Sequence, residues 1–192
     1  MSWAIWITGL PRCGKTARAR RVKQLLVEQG IEAKILELDE IRKVITPKPT
    51  YSEAEREIVY ASLACMAKLL VETGTNVIID ATGNRQRYRD LARSLIPNFI
   101  EVYIRCPLEI CMDRDSGGDR GSAPENVYEK ANAPNATVPG VNVPYEVPTR
   151  PEITVDSHLL SVDEAARRIV ETIEALFYNN DESTIITEGD NG

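Results

Sequence analysis

The sequence predicts an α/β domain of three layers, an α/β/α sandwich around a mainly parallel five-stranded sheet with a long lid. Short β-rich apolar runs alternate with longer segments of helical period through most of the 192 residues. The run Asn76-Val77-Ile78-Ile79 is almost wholly apolar, as suits a strand covered on both faces in a parallel sheet. The segment Gly9-Leu10-Pro11-Arg12-Cys13-Gly14-Lys15-Thr16 lies between the first apolar run and the first helical segment, the strand–loop–helix order of a phosphate-binding loop. One domain over 1–178 is expected, with the lid at 116–150 and an acidic, flexible tail at 179–192.

Taken in order, Trp3-Ala4-Ile5-Trp6-Ile7 is the first strand and 17–29 the first helix. Glycines at both ends of the loop between them let the backbone turn until its N–H groups point inward. With the positive end of the helix they form a cradle for a β-phosphate. Lys15 reaches the β- and γ-phosphates, and the Thr16 hydroxyl can ligate the accompanying Mg2+. The expected ligand is a nucleoside triphosphate held by Gly9, Leu10, Pro11, Arg12, Cys13, Gly14, Lys15 and Thr16. After Gly30 a second strand at 33–38 delivers Asp39 to the sheet edge where open α/β folds bind ligands. Asp39 reads as a magnesium-water ligand, as the base for an acceptor hydroxyl, or as the N-cap of a short helix at 40–44.

Pro47-Lys48-Pro49-Thr50 interrupts the pattern, and Ser52-Glu53-Ala54-Glu55 makes a capping box for a long helix whose apolar face is Ile58, Val59, Leu63, Met66 and Leu70. Arg56 stands in the first turn, where the helix dipole gives a cation no advantage; it reads either as an anion ligand or as a surface arginine paired with a glutamate. The third strand ends in Asp80, and Asp80-Ala81-Thr82-Gly83-Asn84 sets a carboxylate, a hydroxyl and an amide beyond it. Asp80 reads as a magnesium-associated carboxylate or as a cap for the helix carrying Arg85, Arg87 and Arg89, which are expected on its wet face. A fourth strand at 99–105 leads through Pro107, a first-turn residue, to a helix at 108–114. From 116 to 150 glycine, proline and asparagine dominate, which reads as a lid that excludes water from the reaction. Arg114 lies at its base and Lys130 in a short helical run at 124–131. A fifth strand at 151–155 and the capping box Ser161-Val162-Asp163-Glu164 open the final helix, which runs to about 177.

The net charge of −6 argues against general nucleic-acid binding, so any anion site must be built locally. No run approaches the length of a membrane span and none reads as a leader, so the expected location is the cytoplasm. The four cysteines, Cys13, Cys65, Cys106 and Cys111, lack paired zinc spacing and read as reduced thiols. His158 is the single histidine, which excludes a histidine-cluster metal site.

Several segments together resemble the adenylylsulfate kinase family, within the P-loop kinases. They are the phosphate loop; Leu38-Asp39-Glu40-Ile41-Arg42, where the family has Asp-Gly-Asp-Asn-x-Arg; Tyr51-Ser52 through Arg56; the run from Glu101 to Cys111 with Arg114-Asp115; Tyr128-Glu129-Lys130-Ala131; and Pro144-Tyr145-Glu146-Val147-Pro148. The resemblance implies phosphorylation of the 3′-hydroxyl of adenosine 5′-phosphosulfate by ATP and Mg2+, and a homodimer. It also implies that Asp39 serves the acceptor hydroxyl, Arg42 and Arg56 hold the phosphosulfate, Arg114 contacts ATP, and Lys130 belongs to the substrate-side lid. Departures from the family pattern are Glu37 and Leu38 in the second strand region, and Val59, Ala61 and Ser62 in place of an asparagine and paired arginines. The Asp80–Asn84 loop is closer in texture to small-molecule and polynucleotide kinases. These departures predict a less cationic acceptor pocket and keep a nucleoside, sugar or polynucleotide hydroxyl open as the alternative acceptor. A non-catalytic nucleotide switch is the remaining class.

Overall fold

A computed structural model describes residues 1–117 and 126–178. The tail at 179–192, and 118–125 of the expected lid with the start of the 124–131 run, lie outside the described residues. Five strands, β1 (Ala4–Thr8), β2 (Ala33–Glu37), β3 (Asn76–Asp80), β4 (Phe99–Arg105) and β5 (Ile153–Asp156), form one sheet in the order β2-β3-β1-β4-β5. Every pairing is parallel. The helices are α1 (Lys15–Glu28), α2 (Leu38–Ile45), α3 (Glu53–Glu72), α4 (Gln86–Leu95), α5 (Leu108–Ser116) and α6 (Val162–Phe177), with a short 3-10 turn at Glu129–Asn132.

The central strand β1 is buried throughout, and its side chains alternate between two cores. Ile5 and Ile7 join Ala19, Val22 and Leu26 of α1 and Ile169 and Ile173 of α6. Ala4 and Trp6 join Tyr60 and Leu63 of α3 and Tyr88 and Ala92 of α4. The register aligns Ile7 with Asp80 and Glu37 with Asp80, so β1, β2 and β3 end level with one another. That level edge carries the phosphate loop and both aspartates.

Local structure refines several expectations. Helix α1 starts at Lys15 rather than at 17, because Gly14 takes the left-handed φ of 93° that turns the loop directly into the helix. Helix α2 starts at Leu38 and includes Asp39, so Asp39 is not its N-cap; Glu37 holds that position, and Asp39 lies in the first turn at the positive end of the helix. Pro107 is likewise the N-cap of α5, one place before its first turn. The box at Ser161 closes in both directions. The one at Ser52 closes in one direction only: Ser52 accepts from Glu55 N, but the Glu55 carboxylate turns to Thr50, Tyr51 and Arg42. On α3 the inward face is Arg56, Val59, Tyr60, Leu63, Ala64 and Ala67; Met66 and Leu70 are half-buried, and Ile58, expected in the core, points to solvent.

Arg89, expected on a wet face, is fully buried. Its Nε donates to Glu101 Oε1 at 2.5 Å, Nη1 to Gly83 O, and Nη2 to Gln86 Oε1 and to Glu146 O, both at 2.6 Å. The guanidinium also lies 5.8 Å from the Tyr145 ring centroid. It therefore joins α4, β4, the loop after β3 and the 144–146 segment. Glu101 is itself 2% exposed, so removing Arg89 strands a buried carboxylate whose other cationic neighbour, Arg93, is 3.7 Å away. Arg89→Met should cost ~3–5 kcal/mol, the range for breaking a buried pair by removing one partner. Urea unfolding measures it, and a loss below about 1 kcal/mol would show that the pair behaves like a surface bridge.

Candidate active site

The loop after β1 is shaped by close backbone approach. A Cβ at Gly9 would lie 2.5 Å from Ile104 O and 2.6 Å from Cys13 Sγ, so no larger residue fits there. Cys13 is wholly buried and turned to the core, and its N–H donates to Leu10 O. The Lys15 ammonium lies across the loop mouth, donating to Gly9 O at 3.2 Å and Leu10 O at 3.0 Å. Burial opposes its charge, but Cys13, Asp80 and Asp39 favour it, and the balance raises its pKa. The ammonium therefore stays protonated through the physiological range.

Thr16 Oγ1 donates to Asp80 Oδ2 at 2.6 Å. Burial raises the Asp80 pKa to about 6 even though Lys15 and Thr16 pull it down, and Asp39 is raised by burial against the attraction of Lys15. Two carboxylates and one hydroxyl thus face one lysine. Mg2+ takes hard oxygen donors, commonly one or two carboxylates with substrate phosphates and water completing its shell. Thr16, Asp80 and Asp39 fit that donor set. Among the described residues no cluster of three or more His, Cys, Asp or Glu forms a complete protein cage.

These groups open into a cleft of about 1000 Å³. Of the expected site residues, Pro11, Arg12, Gly14, Lys15, Thr16, Asp39, Arg42, Arg56, Asp80, Arg114 and Lys130 line it; Gly9, Leu10 and Cys13 do not. Arg114 donates to Cys13 O at 3.3 Å and to Ser157 O at 2.9 Å, which fixes it under the loop. Arg42 bonds Glu55 Oε1 at 2.9 Å, while Arg56 donates to Tyr51 O at 3.0 Å and Thr137 O at 2.6 Å. Both guanidiniums lie over the Tyr51 ring, at 5.0 and 5.8 Å from its centroid. Although burial pushes the other way, the Glu55 pKa falls to about 2 through hydrogen bonds from Thr50, Arg42 and Tyr51, so Arg42 keeps an ionised partner.

Val59, Ala61 and Ser62 do not line the cleft. Val59 is buried in the core, Ala61 is exposed, and the Ser62 hydroxyl donates to Ile58 O at 2.7 Å. None of the three therefore contributes a group to the cleft lining. Three further contributors are Tyr51 with its left-handed φ of 53°, Arg18, which donates to Gly14 O and Ser157 O, and Asn84, whose Nδ2 bonds Pro144 O. Tyr51 opens the family-like segment that runs to Arg56, and Asn84 supplies the amide expected beyond the third strand; Arg18 had no signal. His158 is exposed, and all four cysteines are free.

A family model described as adenylylsulphate kinase matches residues 1–156. The adenylyl-sulfate kinase of Rippkaea orientalis is 32% identical over 175 residues, covering 91% of this chain and 92% of the relative. That of Bacillus pumilus is 33% identical over 178 residues, covering 90% and 85%. Among solved structures, the APS kinase CysC of Mycobacterium tuberculosis, in complex with AMPPNP and APS, superposes with a TM-score of 0.79 at 31% identity, covering 90% of this chain and 98% of that one. A sugar kinase from Janibacter shares the fold, with a TM-score of 0.66 at 18% identity, 91% of this chain and 97% of that one.

The buried carboxylate at the centre of the cleft makes a pH-dependent prediction. The Asp80 pKa rises from the ordinary 3.8 to about 6 on folding. Its contribution to stability is therefore complete below pH 3.8 and is lost as pH rises through about 6. Asp80→Asn, neutral at every pH, should stabilise the ligand-free protein by up to ~3 kcal/mol at pH 8 and by less than ~1 kcal/mol near pH 4. Urea midpoints at the two pH values measure this; equal changes at both would mean that charge burial is not the cause.

Proposed function

The chain belongs to the adenylylsulfate kinase family of the P-loop kinases, and from that premise we propose how its residues perform the transfer. It is an ATP-dependent phosphotransferase acting on a hydroxyl-bearing acceptor. It moves the γ-phosphoryl group of ATP to the 3′-hydroxyl of adenosine 5′-phosphosulfate, giving 3′-phosphoadenosine 5′-phosphosulfate and ADP. The observation that carries the acceptor reading is the Arg42–Tyr51–Arg56 stack lining the same cleft as Lys15, Asp39 and Asp80. Two forked cations held over one aromatic ring suit a tetrahedral oxyanion.

The backbone from Gly9 to Thr16 holds the ATP phosphates, and Lys15 stabilises charge as it builds on the transferred group. Thr16 and Asp80, with Asp39 beside them, would hold Mg2+, which would supply charge neutralisation to the phosphates. Arg114 backs the nucleotide from beneath the loop. Asp39 orients the acceptor hydroxyl and takes its proton, a role that its raised pKa favours. Arg42, Arg56 and Lys130 receive the phosphosulfate, and residues 126–150 serve as a lid that keeps water from the phosphoryl group.

Asp39→Asn should lower kcat by about 100-fold or more while the affinity for ATP changes little, because general-base groups contribute about 10²–10⁴-fold and the loop supplies most nucleotide contacts. Steady-state kinetics with a separate ATP titration distinguish the outcomes; near-normal kcat with weakened ATP binding would make Asp39 a nucleotide ligand.

Labelled ATP offered with adenosine 5′-phosphosulfate should give the 3′-phosphorylated product. Arg42→Ala and Arg56→Ala should then raise KM for that acceptor more than for ATP, by about tenfold for each lost charged contact. A nucleoside, sugar or polynucleotide phosphorylated in preference would retain the kinase and replace the acceptor.

A further inference from the structure

The phosphate loop carries a non-glycine residue, Arg12, at a left-handed φ of 61°. Such a conformation persists where the surroundings over-determine it. Here the determinant is visible. Arg12 Nε donates to Asp115 Oδ1 at 2.6 Å, with the two side chains 7% and 4% exposed. The other oxygen, Asp115 Oδ2, accepts from Tyr128 N at 2.8 Å, and the Tyr128 hydroxyl returns to the loop, donating to Pro11 O at 2.8 Å. The circuit is closed: loop, Arg12 side chain, Asp115, Tyr128 backbone, Tyr128 hydroxyl, loop.

Tyr128 is the N-cap of the 3-10 turn Glu129–Asn132, which contains Lys130. The Ala131 N–H donates to Tyr128 O, so the turn moves with its cap. Lys130 lines the same cleft as Arg42 and Arg56. The turn is thus tied to the phosphate loop at two successive loop residues, Pro11 and Arg12.

We propose that Arg12 is a positioning residue for the acceptor rather than a phosphate ligand: acting through Asp115 and Tyr128, it fixes the turn that presents Lys130 to the acceptor anion. This rests on the reading of Lys130 as an acceptor contact. The nucleotide is held by loop N–H groups and Lys15, which glycine at position 12 leaves in place, because the φ of 61° suits glycine better than arginine. Losing Arg12 therefore acts on one substrate and spares the other.

The test compares wild type with Arg12→Gly, Arg12→Lys and Tyr128→Phe. Two readouts are used: KM for each substrate, and amide hydrogen exchange over 128–131 in the ligand-free protein. Arg12→Gly should raise KM for adenosine 5′-phosphosulfate about tenfold, leave KM for ATP within about twofold, and speed exchange in the turn. Arg12→Lys keeps a charge opposite Asp115 and should recover most of the loss. Tyr128→Phe removes only the hydroxyl tie and should move the same quantities in the same direction by less. A parallel rise in both KM values, a rise for ATP alone, or unchanged exchange would overturn the proposal. If wild type phosphorylates no adenosine phosphosulfate, the acceptor reading fails separately. Exchange in the turn then decides the latch, unchanged in Arg12→Gly against it and accelerated for it.

Discussion

The hydrogen bond from Thr16 to Asp80 is the constraint on which the rest of the active edge depends. A carboxylate only 4% exposed is costly to ionise, and Asp80 is held there by a hydroxyl at 2.6 Å and by the field of Lys15. Both partners come from the first turn of α1. That turn can meet Asp80 only if β1 and β3 are adjacent and end level, as the pairing of Ile7 with Asp80 ensures. Sheet order, the loop glycines and the helix start are therefore conditions of one contact. The arrangement favours function over stability, because the same burial that readies Asp80 for a cation penalises its ionised form in the free protein.

The electrostatics of the chain are organised by segregation. With a formal charge of −6, the protein nonetheless lines its cleft with Arg12, Lys15, Arg42, Arg56, Arg114 and Lys130. Acids at the cleft are few and specific. Asp39 and Asp80 face Lys15, while Glu55 and Asp115 bind Arg42 and Arg12 and set their directions. The surplus of negative charge lies elsewhere on the chain, so the local field at the cleft opposes the sign of the whole molecule.

Legibility followed sequence distance. The phosphate loop, the strand at 99–105 and the complete box at Ser161 depend on residues within a few positions of one another, and the sequence states them directly. Asp80 at the end of β3 and Asp39 two residues past the end of β2 were readable because parallel strands deliver the residues at their carboxyl ends to one edge whatever the details of packing. Arg89 was misread because its helix looks polar, while its partners Glu101, Gly83 and Glu146 arrive from three other segments. The Asn84 amide was legible beyond the third strand but its partner was not, because it meets Pro144 sixty residues away. The Ser52 box was half right because Arg42 and Thr50 compete for the Glu55 carboxylate that the box would use.

Helix phase decides what the departures on α3 mean. Arg56 and Tyr60 face the cleft, so 61 and 62, rotated by about 100° per residue from Tyr60, fall on or near the outer side, and 59 enters the core. The cationic wall that remains is built from Arg42 and Arg56, and its precision comes from uncharged groups: the Tyr51 ring beneath both, the carbonyls of Tyr51 and Thr137, and the amide of Asn84 within 3.4 Å of Arg56. Because one of those carbonyls belongs to Thr137, the guanidinium that would meet an acceptor anion already bonds the 126–150 stretch. An anion at Arg56 would therefore share its donors with Thr137, and the position of that segment and the strength of anion binding would be set by the same side chain.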